Sequence, residues 1–206
     1  MGDDRVLVEL EGHGRDTAPF EQPLDLSRTV GWFTTMFPVP LATSEARWPD
    51  GLLHDTKETR RQVPRGGLDW FVLTRLLDRD VADVPVEPDV RFNFHGEVGP
   101  VEQSEGALRR AMDLPAPNRS GDNRRTVVLG VEVTLREGGL RVEWRYSSAL
   151  HRTATIRNRI DQYEAALEEI LDHCRDRDAP ELSAADVDGV PNDDLDRLSD
   201  LLEDGD

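Results

Sequence analysis

The 206-residue chain has a single cysteine, Cys174, and no two adjacent histidines. A lone thiol excludes an internal disulfide and suits a reducing compartment. Positive charge is scarce too: 25 Lys and Arg face 42 Asp and Glu, a formal net charge of −17. That sign argues against nucleic acid and anionic membrane as partners, because both are recognised by cationic surface. No apolar run approaches the roughly 20 residues of a membrane-spanning helix. The acidic start Met1-Gly2-Asp3-Asp4 has no apolar stretch behind it to read as a signal peptide. A cytoplasmic protein is expected. The histidines at 13, 54, 95, 151 and 173 fall at no metal-ligand spacing with one another, with Cys174 or with a carboxylate cluster, so no metal site is expected. There is neither a Gly-rich phosphate loop nor a Gly-x-Ser-x-Gly elbow.

What is present is unevenly distributed. Residues 176–206 hold twelve acids against two arginines, whereas residues 1–175 hold thirty against twenty-three bases. This divides the chain into a moderately acidic body, 1–175, and a strongly acidic tail, 176–206. Charge runs of this kind are usually solvated linkers. The sharper alternative is a docking element for a basic partner.

Hydrophobic periodicity supplies the elements. Residues 5–12 alternate as a strand with one buried face, and a loop with Pro19 and Pro23 follows to residue 27. From Arg28 to Leu41 the chain is apolar and β-branched or aromatic, with Pro38 and Pro40 predicting a sheet edge. Asp50 to Gln62 reads as a mainly exposed helix, and Leu68 to Leu77 as a second with helical apolar spacing. Val90–Phe94 is a short strand, and residues 97–124 form a long Gly-, Pro- and charge-rich loop. A hairpin over Thr126–Leu135 and Leu140–Tyr146 turns at Glu137-Gly138-Gly139. The clearest helix opens at Thr153 or Thr155. Ile156, Ile160, Tyr163, Leu167, Ile170, Leu171 and Cys174 form its apolar stripe, where a thiol would be inert. A short helix, 194–203, lies in the tail. No repeat and no regular βαβ rhythm are found, so the prediction is a two-layer α/β or α+β sandwich.

The residues that could carry chemistry gather early. Glu11-Gly12-His13-Gly14-Arg15 ends the first strand with a carboxylate, an imidazole and two glycines, where backbone or substrate can approach closely. Glu11 is a general-base candidate if desolvated, or else a structural ion-pair partner of Arg15 or Arg28. His13 is either a proton carrier or a loop anchor. Trp32, Phe33, Phe37, Trp70 and Phe71 read as core aromatics or as the lining of a channel beside Glu11. Asn93, between two aromatics, is either inward and hydrogen-bonding or outward and incidental.

These residues also carry a resemblance. Glu11–Arg15, the block Arg28-Thr29-Val30-Gly31-Trp32-Phe33-Thr34 and the nearby Phe37-Pro38 resemble consecutive motifs of epimerization domains of nonribosomal peptide synthetases. Those domains belong to the condensation-domain superfamily, with a chloramphenicol-acetyltransferase-like fold. Pro64–Leu68, Phe92-Asn93-Phe94-His95-Gly96 and Tyr146–His151 follow in the expected order, and the likeness extends to about residue 175. The family's Gly-rich, Tyr-containing segment is replaced by Gly67-Leu68-Asp69-Trp70, and its usual Leu before the final Gly by His95.

The resemblance implies half of a unit. Such domains are pseudodimers of two lobes with a tunnel at their junction, and a His-His-x-x-x-Asp-Gly motif in the N-terminal lobe supplies the second catalytic group. By resemblance this chain is a mixed sheet covered by helices on one face. Glu11, with His13, would serve catalysis, exchanging the α-proton of an aminoacyl or peptidyl thioester. Arg28, Thr29, Trp32 and Asn93 would bind substrate. No cofactor of its own is implied, the substrate riding on the phosphopantetheine arm of a peptidyl carrier protein. The implied partner is an N-terminal condensation-type lobe or a second copy in a homodimer. A catalytically inert module that binds a carrier protein or scaffolds a synthetase is the alternative. A standalone acyltransferase would need His13 as its base.

Overall fold

The computed structural model describes residues 5–15, 25–42, 48–76, 87–97, 124–136 and 138–176. The tail with its expected helix 194–203, nearly all of the 97–124 loop, and Pro19 and Pro23 lie outside the described residues. Five strands form one mixed sheet in the order β2-β1-β3-β4-β5. β1 (Arg5–Gly12) runs antiparallel to β2 (Thr35–Ala42) and parallel to β3 (Val90–Glu97). β3 is parallel to β4 (Leu129–Arg136), which turns back antiparallel into β5 (Gly139–Tyr146).

Because side chains alternate along a strand, register decides which ones share a face. Val8 pairs with Val39 and Val90, Leu10 with Phe37 and Phe92, and Val131 with Phe92 and Trp144. These pairs make an apolar face, whose centre holds the buried residues Val8, Phe37, Val39, Val131 and Val133. The intervening residues Glu9, Glu11, Arg91, Asn93, Glu132 and Arg145 share the opposite face. One face is greasy and the other charged.

Helix α3 (Thr153–Arg175) covers the apolar face. Ile156, 4% exposed, is buried there, and Tyr163 meets Trp144 edge-on with ring centroids 5.6 Å apart and planes at 82°. Burial raises the Tyr163 phenol above its ordinary pKa of 10.0. Helix α1 (Asp50–Arg61) buries no residue, as its polar sequence predicts. It is tied to the far half of α3 by Trp48, whose Nε1 donates to Glu169, and by Asp50, 3.5 Å from His173 Nε2. A cavity of about 1330 Å³ remains between the helices and the sheet, walled by Val6, Leu41, Phe92, Phe94 and Leu129 and edged by Arg60 and Arg159.

Four expectations are corrected. The second strand begins at Thr35 rather than Arg28, because β1 ends at Gly12, the register partner of Thr35, and residues 28–34 have no strand to pair with. The helix expected over 68–77 is a single α turn, α2 (Leu68–Phe71), followed by a π turn at Val72–Leu76. There the Thr74 hydroxyl donates to the Trp70 carbonyl at 2.7 Å, a side-chain bond that loosens regular helix. The hairpin's first strand starts at Leu129, not Thr126. Cys174 is exposed, and so is Leu171. A 23-residue helix is about 34 Å long and an eight-residue strand about 27 Å, so the apolar stripe outruns the sheet.

A tight turn locks α2 to β2. Arg65, Gly66 and Gly67 all have positive φ (48°, 56° and 83°), and the buried Thr35 hydroxyl donates to the Gly66 carbonyl at 2.9 Å. A Cβ at Gly67 would be driven into the Phe37 ring, whereas one at Gly138, also at positive φ, meets open space. Gly67→Ala should therefore cost about 3 kcal/mol, combining left-handed strain with overpacking, and Gly138→Ala only about 1 kcal/mol. Urea midpoints at unchanged m-value separate the two; equal losses would remove crowding as the cause.

The raised phenol of Tyr163 gives a second expectation. A folded-state value above the unfolded one means that its stabilisation is complete below about pH 10 and fades as pH rises through the folded value. Wild-type chain should thus lose thermal stability above pH 10 more steeply than Tyr163→Phe. Parallel decline in the two proteins would count against burial of the hydroxyl.

Candidate active site on the polar sheet face

Glu11 is the last residue but one of β1, and its side chain stands on the charged face beside β3. Asn93 Nδ2 donates to its Oε2 at 2.7 Å. One rung earlier on the same two strands, Glu9 is paired with Arg91, both side chains less than one-fifth exposed. Arg91 also donates to Thr126 Oγ1 at 3.1 Å. The two rungs differ in kind: a guanidinium neutralises Glu9, while a neutral amide orients Glu11 without cancelling its charge. Among the described residues Glu11 has no cationic partner.

Glu132 of β4 faces Asn93 in register. It is bound by Arg145 at 2.7 Å and approached by His95 Nε2 at 3.7 Å, and Arg145 also reaches Glu143 at 3.4 Å. Sequence reasoning missed Arg91, Glu132 and Arg145 as neighbours of the site. The signal was present, since each occupies the polar phase of an alternating strand, but only register reveals which rungs they share.

The ion pair of Glu11 with Arg15 or Arg28, one of the two readings of its sequence context, is not formed among the described residues. Arg15 is committed elsewhere. Its two terminal nitrogens donate to the carbonyls of Leu26 (3.0 Å) and Thr29 (3.1 Å), and its guanidinium lies 4.2 Å over the Phe33 ring. His13 is exposed, and its Nδ1 accepts the Arg15 backbone N–H at 3.0 Å. That bond places the neutral ring's proton on Nε2, so neither nitrogen is a free acceptor aimed at Glu11. The ring holds the loop.

The glycines serve backbone approach. Gly14 has φ +63°, and a Cβ there would be driven into the Phe33 carbonyl, while one at Gly12 would lie 2.7 Å from Thr35 Oγ1. The loop after β1 is thereby stacked on the segment entering β2. That segment is further held by the Ser27 N–H donating to Asp25 Oδ1 at 3.0 Å and by the Thr29 N–H donating to the Leu26 carbonyl at 3.1 Å. Hydrogen bonds from the Ser27 side chain, and then its backbone, hold the Asp25 carboxyl below its ordinary pKa, so this anchor is present above the usual carboxylate range and lost as pH falls through the lowered value.

Of the six expected site residues, Glu11 and Asn93 are brought together. Arg28, Thr29 and Trp32 stand exposed on the loop, without a hydrogen bond to that pair among the described residues. Trp32 is 90% exposed, so it is not a core residue. Glu11 borders the large cavity, but its carboxylate is held by Asn93, whose neighbours Phe92 and Phe94 are the ones turned into that space. The cavity and the candidate site thus occupy opposite faces. Among the described residues no group of three or more His, Cys, Asp or Glu is placed to hold a metal ion, and no helix is long and apolar enough to cross a membrane.

Comparison with known proteins places this arrangement. The profile of the condensation domain matches residues 1–188. The chain is 36% identical over 176 residues to a linear gramicidin synthase of Brevibacillus parabrevis, covering 84% of this chain and 3% of that protein. It is 34% identical over 208 residues to a surfactin synthase of Bacillus subtilis strain 168, covering 98% of this chain and 6% of the relative. The crystal structure of the epimerization domain from the third module of tyrocidine synthetase B superposes with a TM-score of 0.71 at 26% identity, covering 85% of this chain and 39% of that one. The chain therefore spans a small part of the synthetases and about two-fifths of the solved domain. Its mixed sheet with helices on one face is an α+β, chloramphenicol-acetyltransferase-like arrangement, as expected. By sequence and by fold, this chain belongs to the condensation-domain family of nonribosomal peptide synthetases.

Proposed function

We propose that this chain supplies the glutamate half of an epimerization-type centre. Glu11 acts on the α-carbon of an aminoacyl or peptidyl thioester carried on the phosphopantetheine arm of a peptidyl carrier protein. As the Cα–H bond breaks, its electron pair is delocalised into the thioester carbonyl and the proton passes to Glu11. A second group on the opposite side, an imidazole from a complementary lobe, returns a proton to the other face and inverts the centre. Both groups must lie within hydrogen-bond reach of one carbon, which a single sheet face does not provide.

The observation that carries this reading is the Asn93–Glu11 bond beside the Arg91–Glu9 pair. A carboxylate held in place by a neutral donor is oriented and has no ion-pair partner among the described residues. The structural likeness to an epimerization domain supports the same choice within the family. A standalone acyltransferase with His13 as base finds no support, because that ring is exposed and its Nδ1 is occupied by the loop backbone. A catalytically inert carrier-binding or scaffolding module draws support from the exposed Val30 and Trp32.

The test is deuterium uptake from D2O at the α-carbon of a carrier-loaded aminoacyl thioester. It uses the full chain alone and the full chain mixed with a separately produced lobe bearing adjacent histidines. Exchange should need the mixture and should fall about 10²- to 10⁴-fold in Glu11→Gln, the range of a lost general acid–base group. Asn93→Arg should fall comparably by converting Glu11 into a second ion pair, while Asn93→Leu should lose roughly tenfold by releasing the carboxylate. Exchange by the single chain would defeat the split centre. Peptide output unaffected by Glu11→Gln but abolished by disrupting residues 28–34 would favour the inert module.

A further inference from the structure

We propose that the cavity between the sheet and its helices binds a long-chain fatty carboxylate, with the hydrocarbon across the apolar sheet face and the head group at Arg60 and Arg159. The proposal does not rest on the epimerization reading, because this cavity lies on the face of the sheet opposite the Glu11–Asn93 pair. Protein interiors are close-packed, with few voids larger than a water molecule. A space of about 1330 Å³ exceeds even the roughly 300–1,000 Å³ usual for small-molecule sites. Its walls come from all five strands, from Leu41 on β2 through Val6, Phe92 and Leu129 to Trp144 on β5. Four strand spacings of about 4.8 Å give a width of about 19 Å, which suits an extended chain better than a compact ring. Water against this wall would find few hydrogen-bond partners, so hydrocarbon that displaces it is favoured.

The helical wall carries the polar groups. α1 starts beside the far end of α3, where Asp50 lies 3.5 Å from His173. Its last turn brings Arg60 to the same cavity that Thr155 and Arg159 border from the first turns of α3. Both arginines are exposed, and neither forms an ion pair with an acid among the described residues. Arg159 donates only to the neutral Gln162 Oε1, at 2.8 Å. His151, just before α3, also lines the cavity, and its Nε2 is shielded from solvent with no hydrogen-bond partner among the described residues. A carboxylate oxygen at that nitrogen would satisfy a donor that is otherwise unfavourably buried. The acids on the lining, Asp89 and Glu11, belong to the sheet wall, just before β3 and near the end of β1. Two unpaired guanidiniums at a cavity mouth select the head group's sign, and their planar forks match a carboxylate. On a chain of formal net charge −17 such a local cationic pair is the exception.

The experiment titrates the full 206-residue chain with dodecanoate by calorimetry, and with 12-bromododecanoate by bromine quenching of tryptophan emission, both below micellar concentration. Saturable binding is expected, tightening roughly fourfold per methylene from octanoate to dodecanoate, the fold-change for burying one CH2. Dodecyltrimethylammonium, of equal chain length and opposite charge, should bind at least about tenfold more weakly. Arg60→Gln and Arg159→Gln should each weaken dodecanoate about threefold and together about tenfold, as for exposed ion pairs. Arg157→Gln, on the same helix but off the cavity lining, should change nothing. Val6→Trp, at a partly exposed position of the wall, should obstruct the hydrocarbon and weaken binding at least about tenfold while melting near wild type. Quenching should persist in Trp32→Phe and be largely lost in Trp144→Phe. Absence of saturable binding by the wild-type chain would overturn the proposal. So would wild-type affinity in Val6→Trp together with undiminished quenching in Trp144→Phe, because the amphiphile would then sit elsewhere. Equal affinity for the cationic amphiphile, or no loss in the double arginine variant, would overturn the assignment of the head group. No arm uses a second lobe or a thioester, so failure here leaves the epimerization reading untouched, and failure of α-proton exchange leaves this one untouched.

Discussion

Strand alternation in a fixed register is the constraint on which the rest of this molecule depends. A slip of one residue in β1 would carry Glu9 and Glu11 onto the apolar face and Val8 and Leu10 into water. Burying two carboxylates without partners costs far more than the slip could return. The hydrophobic pairs Val8–Val39, Leu10–Phe37 and Phe92–Val131 therefore do more than build a core. They determine that Asn93 arrives beside Glu11. The chemistry of one face is positioned by the packing of the other.

Electrostatics then distinguish two acids that the sequence presents almost identically. Glu9 and Glu11 are two residues apart on the same strand and face the same way. Arg91 against Glu9 makes a nearly buried ion pair, whose partners must stay together because either alone would be an uncompensated charge. Asn93 against Glu11 offers one hydrogen bond and, among the described residues, no countercharge accompanies it. On β4 the neighbouring Glu132 is compensated by Arg145, so its charge does not bear undiminished on the site. Among the described residues the acids Glu9 and Glu132 of this face are neutralised by arginines, while Glu11 is oriented by a neutral amide.

How much of this is legible in the sequence follows from the range of each interaction. β1, α1 and α3 can be read nearly to the residue, because their signals are local periodicities of 2.0 and 3.6. Glu11 stands out because it closes an alternating strand and is followed at once by Gly-His-Gly. Asn93 is ambiguous in sequence, since whether it points inward depends on Glu11, 82 residues away on a partner strand. Trp32 misleads for a related reason. Its aromatic, β-branched surroundings look like strand, and only the end of β1 at Gly12 leaves residues 28–34 unpaired. Cys174 falls on an apolar stripe that is longer than the sheet beneath it. Sequence patterning tells which face is apolar, and topology decides whether anything lies against it.

The glycines of the Glu11–Arg15 motif show how local and long-range demands meet. In sequence they suggest room for a substrate. Their role in the fold is close stacking of one loop on another: Gly14 on the Phe33 carbonyl, Gly12 on the Thr35 hydroxyl. Thr35 in turn donates to Gly66 in the turn that packs under Phe37. A continuous line of tight contacts thus joins the end of β1, the entry to β2 and the turn before α2. His13 and Arg15 belong to that line, His13 by accepting a backbone N–H and Arg15 by binding two carbonyls and a ring. In sequence the motif resembles an active site, yet four of its five residues build the frame of the loop, and only Glu11 stands on the polar sheet face beside Asn93. These contacts fix where β1 ends and β2 begins, and so fix the position of Glu11 at the end of the sheet.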